Sequence, residues 1–133
     1  MDNVTRLKSL YEAFARGDVP TVLAAMSPAI RWHEAEGHPY VPSGEAWVGP
    51  DAVLNNLFKR MGEEWDGFVI HLKSFYGAGD TVIVEIRYGG TYRPTGKSLD
   101  AQACHIWDFK DGKATRFQQY VDTAQLQNVM GAR

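Results

Sequence analysis

Leu99-Asp100-Ala101-Gln102-Ala103-Cys104-His105-Ile106-Trp107-Asp108-Phe109, then Asp111-Gly112, then Thr115-Arg116-Phe117-Gln118-Gln119-Tyr120-Val121 are two runs and a turn that settle the fold class. Successive side chains of a strand point to opposite faces. Leu99, Ala101, Ala103, His105, Trp107 and Phe109 therefore share one face, and Asp100, Gln102, Cys104, Ile106 and Asp108 share the other. Asp-Gly between alternating runs is a hairpin signal, because a tight antiparallel turn demands positive φ at both positions. The second run repeats the alternation, with Thr115, Phe117, Gln119 and Val121 against Arg116, Gln118, Tyr120 and Asp122. A mostly apolar face backed by a polar one marks a sheet covered on one side.

Upstream, two more runs complete a four-strand meander. Phe68, Ile70 and Leu72 alternate with Val69, His71 and Lys73; a Gly77-Ala78-Gly79-Asp80 turn leads to Val82, Val84, Ile86 and Tyr88, alternating with Ile83, Glu85 and Arg87. A further strand, Ile30-Arg31-Trp32-His33-Glu34-Ala35-Glu36, stands earlier and places Glu34 in register with Ile30 and Trp32. Around it lie helical segments. Val4, Leu7, Leu10, Tyr11 and Phe14 fall at helical spacing. Gly17 fits a C-cap, and Asp18 with Pro20 opens a short second helix that ends by Ser27-Pro28. Gly49-Pro50-Asp51 starts a third, with Val53, Leu54, Leu57, Phe58 and Met61 as its buried face. A short helix from about Thr123 to Met130 closes the chain; Asp122 reads as its N-cap, unless a bulge in the last strand turns it inward. The order predicts an α+β fold, a curved antiparallel sheet with helices packed on one side. Ile83 and Ile106, on the polar face, suggest a homodimer contact through the outer side of the sheet. Gly37 to Gly49, with His38, Tyr40 and Trp47, reads as a surface loop, with a rim or lid as the alternative.

At 133 residues the chain forms one domain, 1–133. A net charge of -2 with no basic stripe argues against a nucleic-acid partner. No apolar run approaches membrane-spanning length, and no signal-peptide core opens the chain, so no membrane partner is expected. The single cysteine, Cys104, excludes an internal disulfide and suits a cytoplasmic location. His33-Glu34-Ala35-Glu36-Gly37-His38 imitates a zinc-binding helix but has the wrong spacing, a strand-like start and a glycine break, so no metal site is expected.

The functional expectation comes from polar residues on inward faces. Glu34, His105, Gln119, Tyr88 and Tyr11 all fall there, beside Trp32, Trp107 and Phe117. A carboxyl, an imidazole, an amide and phenols in an apolar cup are the makings of a small-molecule site. They allow proton abstraction next to a carbonyl, with Glu34 as base, His105 donating to the developing enolate oxygen and Gln119 holding the substrate. Trp32, Trp107, Phe117, Tyr88 and Tyr11 would form the walls. Pairing of Glu34 with His105 as a structural ion pair is the competing assignment. A non-catalytic domain that binds a hydrophobic metabolite would use the same pocket.

Three stretches carry a resemblance: Tyr11-Glu12-Ala13-Phe14-Ala15-Arg16-Gly17-Asp18, Gly49-Pro50-Asp51-Ala52-Val53, and Asp111-Gly112-Lys113 leading to Arg116-Phe117-Gln118-Gln119-Tyr120-Val121-Asp122-Thr123. Through them the whole chain resembles the nuclear-transport-factor-2-like (NTF2-like, cystatin-like) superfamily, in its SnoaL-like and ketosteroid-isomerase-like branch. The resemblance implies a cone-shaped α+β fold with the helices on the concave face of the sheet, commonly a homodimer. It also implies a cofactor-independent isomerase or lyase of the ketosteroid-isomerase or polyketide-cyclase type, acting on a hydrophobic small molecule. Glu34 is similar in position to the isomerase's base. His105 falls where the isomerase has a protonated Asp, and the isomerase's Tyr position falls at Leu10, one residue before Tyr11. Gln119 stands where cyclases and epoxide hydrolases have an acid, which argues against epoxide hydrolysis and weakens a direct cyclase assignment.

Overall fold

The computed structural model describes residues 1–131. Helices α1 (Asn3–Ala15) and α2 (Val19–Ala24) lead into β1 (Met26–His33); a loop then reaches the short β2 (Trp47–Val48). A continuous helical stretch follows, made of α3 (Pro50–Val53), a π-helical turn (Leu54–Phe58) and α4 (Lys59–Glu64). Strands β3 (Trp65–Ala78), β4 (Thr81–Tyr92), β5 (Lys97–Lys110) and β6 (Lys113–Val121) form the meander, and α5 (Thr123–Met130) ends the fold.

The six strands make one sheet in the order β2-β1-β6-β5-β4-β3. Asp111 (φ 51) and Gly112 (φ 77) form the β5–β6 turn with the positive φ values that the Asp-Gly pair suggested. The expected antiparallel pairing holds throughout the meander, and β1 adds to β6 in parallel, with Trp32 opposite Phe117. This pairing also lengthens β1. Met26 pairs with Ala114, so the strand begins where the sequence suggested the second helix was still running. Pro28 falls inside the register shift between Met26 and Arg31, where its missing N–H breaks no ladder bond.

Two irregularities bend β3 around the cup. Gly90 (φ 138) sits opposite a register shift between Asp66 and Val69, where a Cβ would lie 3.0 Å from the Phe68 backbone. A second shift, between Leu72 and Ser74, turns the strand over. Phe75 then packs against the core on the face of Val84, while Leu72, opposite Ile86 before the shift, is 43% exposed. The concave face carries Val82, Val84, Ile86, Trp107 and Phe117, all buried, and α1 covers it through Leu7, Leu10 and Tyr11. Asp122 caps α5, its side chain accepting the Gln125 backbone N–H at 3.1 Å, as the capping assignment expects. Among the described residues no helix is long and apolar enough to cross a membrane.

Candidate functional site

Between the concave face and the helices lies a cavity whose lining is mostly apolar. All eight residues singled out from the sequence line it: Glu34, His105, Trp32, Gln119, Tyr88, Phe117, Trp107 and Tyr11. Each is buried. Period-two alternation brings Tyr88, His105, Trp107, Phe117 and Gln119 in from β4, β5 and β6, with His105 opposite both Val84 and Gln119 in the ladder. Glu34 follows the last residue of β1 and keeps the inward direction of Trp32. Opposite this wall, Leu10 and Phe14 of α1 and Leu57, Phe58 and Met61 of the helical stretch are apolar. The π turn holds Leu57 and Phe58, a placement common where a helix lines a site. Trp32 stacks on Phe117 with centroids 3.7 Å apart and meets Phe58 and Trp107 edge-on. No Lys or Arg is among the described lining residues.

The polar groups divide into two sets. In the first, Tyr11 Oη lies 2.6 Å from His105 Nδ1 and Tyr88 Oη lies 2.5 Å from His105 Nε2. Trp107 Nε1 donates to Tyr11 Oη at 3.0 Å, and Gln119 Nε2 donates to Tyr88 Oη at 2.8 Å. Gln119 Oε1 in turn accepts the Ala35 backbone N–H at 3.3 Å. Both ring nitrogens of His105 are therefore taken by phenols. This corrects the expectation that His105 donates directly to a ligand oxygen: no N–H is free to do so. Burial holds its pKa down at about 3, so the ring stays neutral. Burial raises both phenols, so they stay protonated.

The second set is Glu34 with Trp32 and His38. Trp32 Nε1 donates to Glu34 Oε2 at 3.1 Å, and His38 Nε2 stands 3.6 Å from Glu34 Oε1. Glu34 thus faces His38, and the alternative pairing with His105 does not occur. The Tyr40 backbone N–H donates to His38 Nδ1 at 3.1 Å, which leaves the ring proton on Nε2, aimed at the carboxyl. Burial pushes Glu34 up to about 8, with the Trp32 N–H acting the other way. Burial, then the charge of Arg60, lowers His38 to about 4. At neutral pH the pair is an uncharged acid beside an uncharged imidazole.

His38 is the candidate site residue that strand and helix periodicity missed. The surface-loop assignment fails here: His38 and Val41 are only 6% exposed. The segment folds through successive turns, with His38 N–H bonded to Ala35 O and Val41 N–H to His38 O. Gln127 Nε2 donates to Gly37 O, Tyr40 Oη donates to Glu64 at 2.7 Å, and Arg60 lies over the Tyr40 ring. The available signal was His38 at four residues from Glu34, in a chain with four histidines. Among the described residues no group of three or more His, Cys, Asp or Glu could hold a metal ion.

Comparison with known proteins agrees with this architecture. Residues 7–117 match the SnoaL-like domain. An NTF2-like protein from Burkholderia thailandensis is similar over 95% of each chain, with 38% identity and a TM-score of 0.88. An NTF2-like protein of unknown function from Burkholderia pseudomallei is 28% identical over 99% of this chain and 100% of its own, with a TM-score of 0.88. TerC, co-crystallised with polyporic acid, shares the fold at 23% identity over 98% of each chain, with a TM-score of 0.85. No curated protein matches. With its six-strand cup, helix-covered cavity and matching family domain, this chain belongs to the SnoaL-like family of NTF2-like proteins.

Proposed function

We propose that the chain is a cofactor-independent enzyme that abstracts a proton next to the carbonyl of an uncharged, apolar ligand, as an isomerase or lyase does. The observation that carries this reading is Glu34, a 3% exposed carboxyl in a cavity whose other polar groups are neutral hydrogen-bonding groups. In its ionised form Glu34 takes the proton as the C–H bond breaks, and the electron pair moves onto the carbonyl oxygen. Return of that proton at another carbon completes an isomerisation. Its raised pKa makes it a stronger base than an ordinary carboxylate. Trp32 and His38 direct N–H groups at its oxygens, and the phenol and amide of Tyr88 and Gln119 stabilise charge on the ligand oxygen. Aromatic walls and the lack of a cationic lining favour an uncharged, ring-containing ligand. The neighbour co-crystallised with polyporic acid supports a small-molecule pocket in this fold.

A direct test is deuterium exchange at the carbon next to the carbonyl of 2-tetralone in D2O, followed by NMR. Exchange above the buffer rate, lost in Glu34→Gln, is expected; exchange unchanged in that variant would end the proposal. One observation favours a second reading. Burial raises the pKa of Glu34 and favours its protonated form, which can serve as a hydrogen-bond donor in a non-catalytic binding domain. Tight ketone binding without exchange at any pH up to 9 would select it. In either case pairing of two copies through the outer sheet face is proposed. There Ile83 lies opposite Ile106, and Tyr76 and Tyr120 are about half exposed. Sedimentation of Ile106→Lys tests the pairing, with a monomer expected.

A further inference from the structure

Neutral His105 carries one N–H, and Tyr11 and Tyr88 carry one O–H each. Three protons thus meet at an imidazole that makes only two hydrogen bonds. However the chain is polarised, one phenol proton is left over. It cannot turn to Trp107 or Gln119, because each of those already donates an N–H to the phenol beside it. It must find an acceptor elsewhere along the cavity, since a buried hydroxyl proton without a partner is costly.

The two tautomers of His105 differ in which phenol holds that proton. With hydrogen on Nε2, Tyr11 donates to Nδ1, the ring donates to Tyr88, and the Tyr88 O–H is free. With hydrogen on Nδ1 the order reverses and the Tyr11 O–H is free. The surroundings are not symmetrical. Gln119 bonds both Tyr88 and the backbone N–H of Ala35, the residue after Glu34, so Tyr88 and Glu34 share one stretch of wall. Glu34 is the only carboxyl among the described lining residues. Tyr11 lies at the other end of the chain of bonds, against Trp107 and the edge of Phe75. Tyr88 therefore stands on the side of the wall that carries the carboxyl, whereas Tyr11 is flanked by aromatic rings.

We propose that Tyr88 is the residue that donates to the oxygen of a bound ligand, and that His105, fixed as its Nε2–H tautomer by Tyr11, is a positioning residue that frees the Tyr88 proton for that task. The ligand's oxygen then lies between Tyr88 and Glu34, next to the base. This deepens the proposed function and rests on the pocket taking a carbonyl-bearing molecule.

Nitrogen-15 NMR of histidine-labelled protein tests the wiring without any ligand, with His105 assigned by its loss in His105→Gln. The expected wild-type state is neutral Nε2–H. Tyr11→Phe keeps that tautomer. Tyr88→Phe switches it to Nδ1–H, the one position where the ring proton still has an oxygen to meet. Titration with 2-tetralone then tests the donor: Tyr88→Phe is expected to weaken binding about tenfold, the loss of one hydrogen bond. Tyr11→Phe should have a smaller effect. An Nδ1–H wild-type ring, or greater weakening by Tyr11→Phe than by Tyr88→Phe, overturns the assignment. If the tautomers are as expected and the ketone binds no variant or wild type, the pocket reading fails and the role of Tyr88 toward a ligand fails with it, while the wiring stands.

Discussion

Strand β5 and the loop between β1 and β2 each deliver a buried, neutral histidine to the same cavity, and they do so by opposite means. His105 is fixed by a ladder on both sides and by a phenol on each ring nitrogen. His38 is held by one backbone N–H, a run of turns and a few side-chain contacts, and its remaining N–H is directed at Glu34. The sheet builds a network in which both ring nitrogens of its histidine are taken. The loop places an imidazole with fewer partners beside the Glu34 carboxyl.

Removing the carboxyl that the loop side serves should have the largest effect. Glu34→Gln is expected to lower ketone exchange by at least about a hundredfold while leaving binding within a few-fold, measured by NMR exchange and titration. Breaking the sheet side should appear instead as stability. His105→Phe strands two buried phenols and is expected to cost about 2–4 kcal/mol in urea unfolding. His38→Ala should unfold more easily by a smaller amount and slow exchange about tenfold. Without the Nε2–H near its oxygen, the Glu34 carboxylate is less favoured, so the pH midpoint of exchange should move up in that variant. The smallest effect is expected from Tyr40→Phe, which removes the half-buried bond to Glu64. About 1 kcal/mol or less and a few-fold faster ligand release, read by stopped flow, would fit a loop that latches the cavity.

The two regions also differ in how much of them the sequence disclosed. Alternation assigned Tyr88, His105, Trp107, Phe117 and Gln119 to one face, because a strand has only two directions for a side chain and one of them was apolar. Asp111-Gly112 fixed the hairpin and hence the pairing of β5 with β6. The β1–β6 pairing was not legible, since no turn links these strands and the pattern of a half-buried strand is the same for either direction. The inward turn of Phe75 was not legible because the register shift between Leu72 and Ser74 leaves no mark in the sequence. His38 was missed for a related reason: a loop has no period, so burial of one of its side chains depends on contacts with residues far along the chain, such as Gln127 and Glu64.

Burial of Glu34 also sets a pH dependence of stability whose sign differs from that of a salt-bridged acid. Its pKa is about 8 in the folded protein against an ordinary 4.5, so between these values the folded state holds a proton that the unfolded chain has released. Stability therefore falls as pH rises through this window, and the loss is complete above about 8. His38 and His105, lowered to about 4 and about 3, act below the ordinary histidine value of 6.5, where the unfolded chain binds protons the fold refuses. Their contribution falls as pH drops. From pH 6.5 to 9 the decline should belong to Glu34, and urea unfolding of Glu34→Gln should be flatter over that range.

The most direct measurement is a carbon-13 NMR titration of the Glu34 side-chain carboxyl in glutamate-labelled protein, assigned by its absence in Glu34→Gln. The expected midpoint is about 8, that of an acid in a dry cavity that becomes a base only when it loses its proton there. A midpoint near the ordinary 4.5 would mean that water reaches Glu34 freely, and would contradict the enclosed site on which the proposed chemistry depends.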